Sequence, residues 1–438
     1  MISNRARVSS TALRCVIVPI VVTLAGAASA QTSTPAAAGA AIGSDPSPYY
    51  IGGSQAFTHD SNAFRIPFGP SDNYSSTSLL AGFDQPFSRQ RVFGTASVSL
   101  NRYQHLNELN NTSYALLTGL DWATLYKLSG NVSTTLDQQL AAPSASVDAP
   151  DATRTLLKRK GVSGLARWGG NSQLSVDGRL GYSSQDQSGQ SQASNSTNES
   201  GSLGAFYQPG TLLKLGVAVR FDRTRAPNAL GLDQANDTHG RNIDFLADYN
   251  NGNTLTTSGR ISYTRQTNTN ASNADFSGLT GSLNLGYRAT AKISVNLAAS
   301  RNAGFNAANG AYSPVIVTAT PVSASPNSTT ATFYENNQVT NAASLGVSYA
   351  ATSKIGLTGN VHYSRARVVT SSGGVGNSNV GTNATDTSRG AGLGGSYAFS
   401  RALTFACSVS RERRVVTDAV SYRYTDDVAA CSGQFLWR

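Results

Sequence analysis

Apolar and polar residues alternate along most of this 438-residue chain. Leu213, Leu215, Val217, Val219 and Phe221 fall on one parity, and Lys214, Gly216, Ala218, Arg220 and Asp222 on the other. Leu174, Val176, Leu180 and Tyr182 stand in the same way against Ser175, Asp177, Arg179 and Ser183. Ile293, Val295 and Leu297, and later Ile355, Leu357, Val361 and Tyr363, repeat the pattern. A period of two puts each set on one face of a β-strand. The polar faces carry charge, so they belong to water.

A second pattern is laid over the first. Trp122, Trp168, Tyr207, Tyr249, Tyr287, Tyr349 and Tyr397 each stand just before a short polar turn. They recur roughly every forty residues, about the length of a hairpin with its outer loop. The short turns fall near residues 86, 125, 170, 210, 251, 290, 352 and 400, with turn residues such as Pro209-Gly210 and Asn250-Asn251-Gly252. The opposite connections, such as 185–198, 225–240, 305–335 and 369–387, are longer and polar. Alternating hairpins with an aromatic at one edge, short turns on one side and long loops on the other, predict an all-β transmembrane antiparallel barrel. The short turns would be periplasmic and the long loops extracellular. With an opening strand near 50–58 and a closing strand near 423–437, the spacing predicts eighteen strands. Sixteen is the alternative if 50–58 is not a strand. Trp437, in the closing strand, would complete the aromatic girdle.

Composition fits this picture. A 39% apolar content is enough, because in a wet barrel only the lipid-facing half of each strand must be apolar. At the N-terminus, Arg5, Arg7 and Arg14 form a basic region, Cys15 to Leu24 an apolar one, and Ala28-Ser29-Ala30 a small-residue cleavage site. Residues 1–30 therefore read as a signal peptide and 31–49 as a flexible Ala, Ser, Pro and Gly-rich periplasmic linker, with the barrel over 50–438. The expected location is the outer membrane of a Gram-negative bacterium. The three signal arginines take the formal charge from +10 to +7. The excess is spread along the chain. It is read equally well as ordinary surface chemistry or as a lumen that favours anions. No basic, aromatic-interleaved block points to nucleic acid.

Candidate chemistry is sparse. His59, His105, His239 and His362 lie apart, with no metal-ligand spacing and no nucleophile elbow in the chain, so no enzyme, cofactor or metal is assigned. Cys407 and Cys431 are equidistant from Ala419, in the loop expected for the last hairpin. In simple register they would face each other, as a disulfide in the oxidising periplasm or as two free thiols. The water-facing parity offers Asp177, Arg179, Lys214, Arg220, Asp222 and Arg260 as lumen-lining candidates among many Ser, Thr and Asn. Hydroxyl, amide and guanidinium groups can exchange hydrogen bonds with sugar hydroxyls and carboxylates.

One stretch is denser in polar and aromatic groups than the rest. Asp60-x-Asn62-x-Phe64-Arg65 is followed by a strand and then by Pro86-Phe87-Ser88-Arg89-Gln90-Arg91, with Asn101-Arg102-Tyr103 beyond. With Ser400-Arg401 before Cys407, and Cys431 near the end, this resembles the outer-membrane β-barrels encoded with exopolysaccharide biosynthesis genes, among the porin-2-like barrels. The resemblance implies export or surface assembly of an extracellular polysaccharide. Outer-membrane lipids, the polysaccharide itself, and periplasmic or inner-membrane synthesis and export proteins would be its partners. An uptake porin for small molecules is the alternative, and a structural or adhesive surface barrel the second alternative.

Overall fold

The computed structural model describes residues 48–141, 154–169, 172–188, 195–227, 236–269, 275–304, 337–372, 380–417 and 423–437. The segments expected to be a signal peptide (1–30) and, in nearly all of its length, a linker (31–49), and the loop expected over 305–335, lie outside these residues. The described chain forms eighteen strands in one sheet. They are β1 (Tyr49–Asp60), β2 (Asp72–Phe87), β3 (Gln90–Tyr103), β4 (Asn111–Ala123), β5 (Leu128–Leu140), β6 (Leu156–Trp168), β7 (Leu174–Gln187), β8 (Ser196–Tyr207) and β9 (Leu213–Ala226). There follow β10 (Asn236–Asn250), β11 (Leu255–Asn268), β12 (Phe276–Arg288), β13 (Ile293–Gly304), β14 (Asn337–Ala350), β15 (Ile355–Ser372), β16 (Val380–Ala398), β17 (Leu403–Val416) and β18 (Tyr424–Trp437).

Each strand pairs antiparallel with its sequence neighbours. β1 pairs with both β2 and β18, with Ile51 opposite Ala81 on one side and Trp437 on the other. The sheet therefore closes into an eighteen-strand barrel, and the sixteen-strand alternative falls. Strands of 12 to 19 residues are longer than the 9–11 that a tilted strand needs to cross a bilayer. Among the described residues no helix is long and apolar enough to cross a membrane.

The short turns share a local chemistry. Thr290 and Thr352 each accept, through Oγ1, the backbone N–H groups two and three residues on. Ser400 does the same through Oγ. In the 250–255 turn the Asn251 amide oxygen accepts three backbone N–H groups, and Gly252 takes the left-handed φ of +77°. Ser88 takes φ +57° in the first turn. The long connections are shorter than the alternation suggested. β15 and β16 run to Ser372 and from Val380, inside the loop expected over 369–387, and β10 starts at Asn236. Ladder hydrogen bonds need only backbone, so Thr370, Ser371 and Ser372 continue a strand with no apolar face to announce it.

Parity divides the wall. Val217, Phe221, Phe245, Ile261, Leu279 and Leu393 are exposed on the outside, while the residues between them are shielded on the lumen side. Trp168, Tyr207, Tyr287, Tyr349, Tyr397 and Trp437 are exposed at the periplasmic ends of their strands. Trp122 and Tyr249, on the same parity, are half-buried there.

This division predicts unequal costs for the same charge. Phe245→Arg on the outside should lower stability by about 2–4 kcal/mol, whereas Ser258→Arg on the lumen parity should change it by less than about 1 kcal/mol. Urea titration of the refolded barrel in lipid vesicles measures both. Equal costs would contradict the facing assigned to these strands.

Candidate functional site

The lumen wall has two chemically different sectors. Over β2 to β6 the inward positions of the extracellular half are mostly hydroxyl and amide, with Asp72 and the Asp137–Arg159 pair at 3.8 Å among them. Ser78 and Ser99 share a hydrogen bond of 2.8 Å, as do Ser133 and Ser163. The Asn101 Nδ2 donates to Asn111 Oδ1 at 2.9 Å and to Ser113 Oγ at 3.1 Å.

Over β6 to β11 the inward wall is charged in two tiers. In the lower tier, Asp177 is almost fully buried and takes a two-point interaction from Arg167, at 2.6 and 2.7 Å. Arg179 and Lys214 approach the same carboxylate at 3.5 and 3.7 Å. Lys214 also sits 4.0 Å from the centre of the Phe206 ring, a cation–π contact. Gly216 makes room for that ring, because a Cβ there would overlap it. In the upper tier, Arg220 bridges Asp222 and Asp244. Asp222 accepts from Asn242 Nδ2 at 2.7 Å, Asn242 Oδ1 accepts from Thr264, and Thr264 meets Thr280 at 2.7 Å. This polar chain runs across β9, β10, β11 and β12. Arg260 faces the lumen beside it, with a buried Nε that has no hydrogen-bond partner among the described residues.

All six lumen candidates read from the sequence stand on the inner wall, in these two tiers. Arg167, Asp244 and Asp248 belong with them and were not singled out. Each stands on the charged parity of its strand, opposite or next to a candidate in the register.

The extracellular mouth is narrowed by the first loop. Phe64 packs with the lumen-facing Tyr74 and Tyr103, and with Leu109 and Leu140. Tyr74 and Tyr103 stack at 4.8 Å. The loop is pinned by its own polar groups. Asn62 donates its N–H to Asp60 at 2.8 Å, and its Nδ2 to the carbonyls of Ile66 and Thr425. A Cβ on Gly69 would overlap the Asn62 amide. Arg65, at φ +52°, is buried and lies 3.4 Å from Asp426. Burial opposes its charge, yet Tyr424, Glu412, Asp426 and Asp60 outweigh that effect and hold it above the ordinary arginine pKa. Next to it, Arg414 binds Asp386 at 2.6 Å and Tyr424 donates to Glu412 at 3.2 Å. Asn62 and Arg65 thus tie the first loop to the last strand, Asp60 holds the Asn62 backbone at the end of β1, and Phe64 anchors the loop on β2 and β3.

The other motif residues lie at the periplasmic end. Ser88 and Arg89 form the β2–β3 turn, where Arg89 donates to the Thr124 carbonyl at 3.0 Å. Gln90 opens β3 opposite Phe87. Arg91 faces the lumen and bridges Asp84 and Asp121 at 2.6 and 3.2 Å. Cys407 and Cys431 are opposite in register and joined as a disulfide on the outer wall. Among the described residues no group of three His, Cys, Asp or Glu could hold a metal.

A closed sheet with an apolar outer belt and a wet, charged interior fits one setting. The chain is an outer-membrane β-barrel. No protein-family model and no curated protein matches it. Among solved structures it is similar to the outer membrane protein OpdK of Pseudomonas aeruginosa, at 11% identity over 89% of this chain and 99% of the other, with a TM-score of 0.46. It is also similar to OccK2 of the same organism in complex with glucuronate, at 12% identity over 89% and 98%, TM-score 0.45. A bacterial polysaccharide outer membrane secretin aligns at 10% identity over 89% and 98%, TM-score 0.32.

Two predictions follow from this geometry. Asp177→Asn leaves Arg167, Arg179 and Lys214 on the inner wall with Asp248 as the nearby carboxylate, a local excess of positive charge. The anion-to-cation permeability ratio should then rise roughly two- to fivefold, read as the reversal potential across a planar bilayer under a salt gradient. Arg65→Ala strands the carboxylates of Asp60, Asp426 and Glu412 in a buried setting, a loss of about 3–5 kcal/mol. The first loop should become sensitive to protease added outside intact cells, while the barrel still migrates as a folded, heat-modifiable band.

Proposed function

We propose that this barrel is the outer-membrane conduit through which an exopolysaccharide leaves the cell or is assembled at its surface. The observation that carries the reading is the make-up of the inner wall: a hydroxyl and amide sector over β2 to β6 beside a tiered charged sector over β6 to β11. A sugar polymer offers hydroxyls on every side, and an acidic one adds carboxylates at intervals. Ser133 and Ser163, half-buried on the wall, match the first, and Arg179, Lys214 and Arg220 match the second. Arg179, Lys214 and Arg220 each already face a carboxylate of the wall, so none of them holds a passing residue tightly. Weak, repeated contacts are what conduction needs. The resemblance of the Asp60–Arg65 and Pro86–Arg91 segments to exopolysaccharide-associated barrels supports the same reading. Polymer synthesis upstream would supply the driving force, and synthesis and export proteins on the periplasmic side would be the partners.

One observation favours a second reading, the uptake of small anionic solutes. Arg260 is a lumen-facing cation for which no ion pair is found among the described residues, and one such group can bind one carboxylate.

Deletion in the native host separates the two. Under the export reading, polymer outside the cell is lost, polymer in the periplasm rises, and the intact gene restores both. Polymer secretion unchanged by the deletion would reject export. Under the uptake reading, Arg260→Gln lowers flux of a small uronate into vesicles while polymer outside the cell stays the same.

A further inference from the structure

The outer wall carries a charge pattern that the lumen does not explain. Near their extracellular ends, β10 and β11 place Arg241 directly opposite Arg265, and β16 and β17 place Arg389 directly opposite Arg413. All four are exposed on the outside of the barrel. Like charges directly opposite in a sheet repel, and no ion pair to any of the four is found among the described residues. Arg411, next but one to Arg413 and also outward, has Asp427 at 3.4 Å.

Below the Arg389–Arg413 pair lies a groove in the outer wall, of about 900 Å³. Phe57, Leu357, Leu393 and Val409 bound it, and the Cys407–Cys431 disulfide forms part of its floor. Val409 and Leu393 are opposite each other, so Arg411 stands about 7 Å and Arg413 about 14 Å further along the strand, on the side of the cell exterior. Across the groove its upper edge is polar: Arg102, and His59 hydrogen-bonded to Asn73 at 2.8 Å.

We propose that this face binds a phosphorylated, acylated lipid of the outer leaflet, with an acyl chain in the groove and a phosphate between Arg389 and Arg413. The order of groups matches such a lipid set in a membrane, with anion at the exterior and hydrocarbon toward the midplane. A phosphate between the two guanidiniums turns a repulsion into two charge-assisted contacts. A second copy of the chain is a poor occupant, because a symmetric contact through this face would set arginine against arginine. A free anion leaves the apolar groove unused.

The test is native mass spectrometry of the refolded full-length barrel in detergent, titrated with bis-phosphorylated lipid A. The dephosphorylated lipid and inorganic phosphate serve as separate probes. Wild type should retain lipid A and release the dephosphorylated form. Arg389→Gln with Arg413→Gln should weaken retention by about tenfold or more. Ala429→Trp, which fills the groove and leaves every arginine in place, should weaken it as well. Heat-modifiable migration establishes that each variant has folded, and Arg389→Gln alone provides a milder variant. The proposal is overturned by any of three results: equal retention by wild type and the arginine variants, displacement of the lipid by inorganic phosphate with no effect of Ala429→Trp, or a mass showing a second copy in place of lipid.

Discussion

Everything in this molecule depends on β1 finding β18. In hydrocarbon an unpaired N–H or C=O costs several kcal/mol, so a sheet with two free edges cannot stay in a membrane. The closing pair runs from Ile51 opposite Trp437 to Asp60 opposite Val428. It joins the two ends of the described chain, and all other strand pairs except this one join sequence neighbours. Of all the strand pairs this one closes the longest loop and so carries the largest closure entropy. It is also where the sequence places its densest polar chemistry.

That chemistry lies just above the seam. Ser61 donates its N–H to the Asp427 carbonyl, and Asp427 returns its N–H to the Ser61 hydroxyl. Asn62 reaches Thr425, and Arg65 reaches Asp426. The first loop therefore extends the β1–β18 ladder by side-chain bonds where the strands end. A buried ionic knot is a weak source of net stability, but it is specific: its groups are satisfied only when this loop meets this strand. The same contacts turn Phe64 inward onto Tyr74 and Tyr103, so closing the barrel and narrowing its mouth are one event.

What the sequence revealed follows from this division of labour. Strand number and facing were legible because a two-residue period is written into each strand. Leu213 to Asp222 alone fixes which side of β9 is wet. The aromatics and short turns located the hairpin turns to within a few residues. Pairing across strands was not legible. Asp177 and Arg179 stood out by parity, but the contact of Asp177 with Arg167 depends on the β6–β7 register. Arg65 and Asp426 are separated by nearly the whole chain, and no local pattern links them. Strand ends were missed for a different reason. Thr370 to Ser372 continue the ladder by backbone alone, above the membrane, where hydrophobicity no longer marks the strand.

The outer wall completes the account of orientation. At the periplasmic end it carries exposed Trp168, Tyr207, Tyr287 and Tyr397, amphipathic rings suited to an interface. At the extracellular end it carries Arg241, Arg265, Arg389 and Arg413. An arginine at the midplane of a barrel costs about 2–4 kcal/mol, and near an interface almost nothing. The strands exceed the span of the bilayer, so this end of each can carry charge without entering hydrocarbon. Aromatic and cationic residues at opposite ends then act together. Sliding the barrel inward would bury the arginines, and sliding it outward would lift the apolar belt into water. The depth of the barrel is thus fixed from both sides by its own wall, and with it the height of the lumen tiers within the membrane.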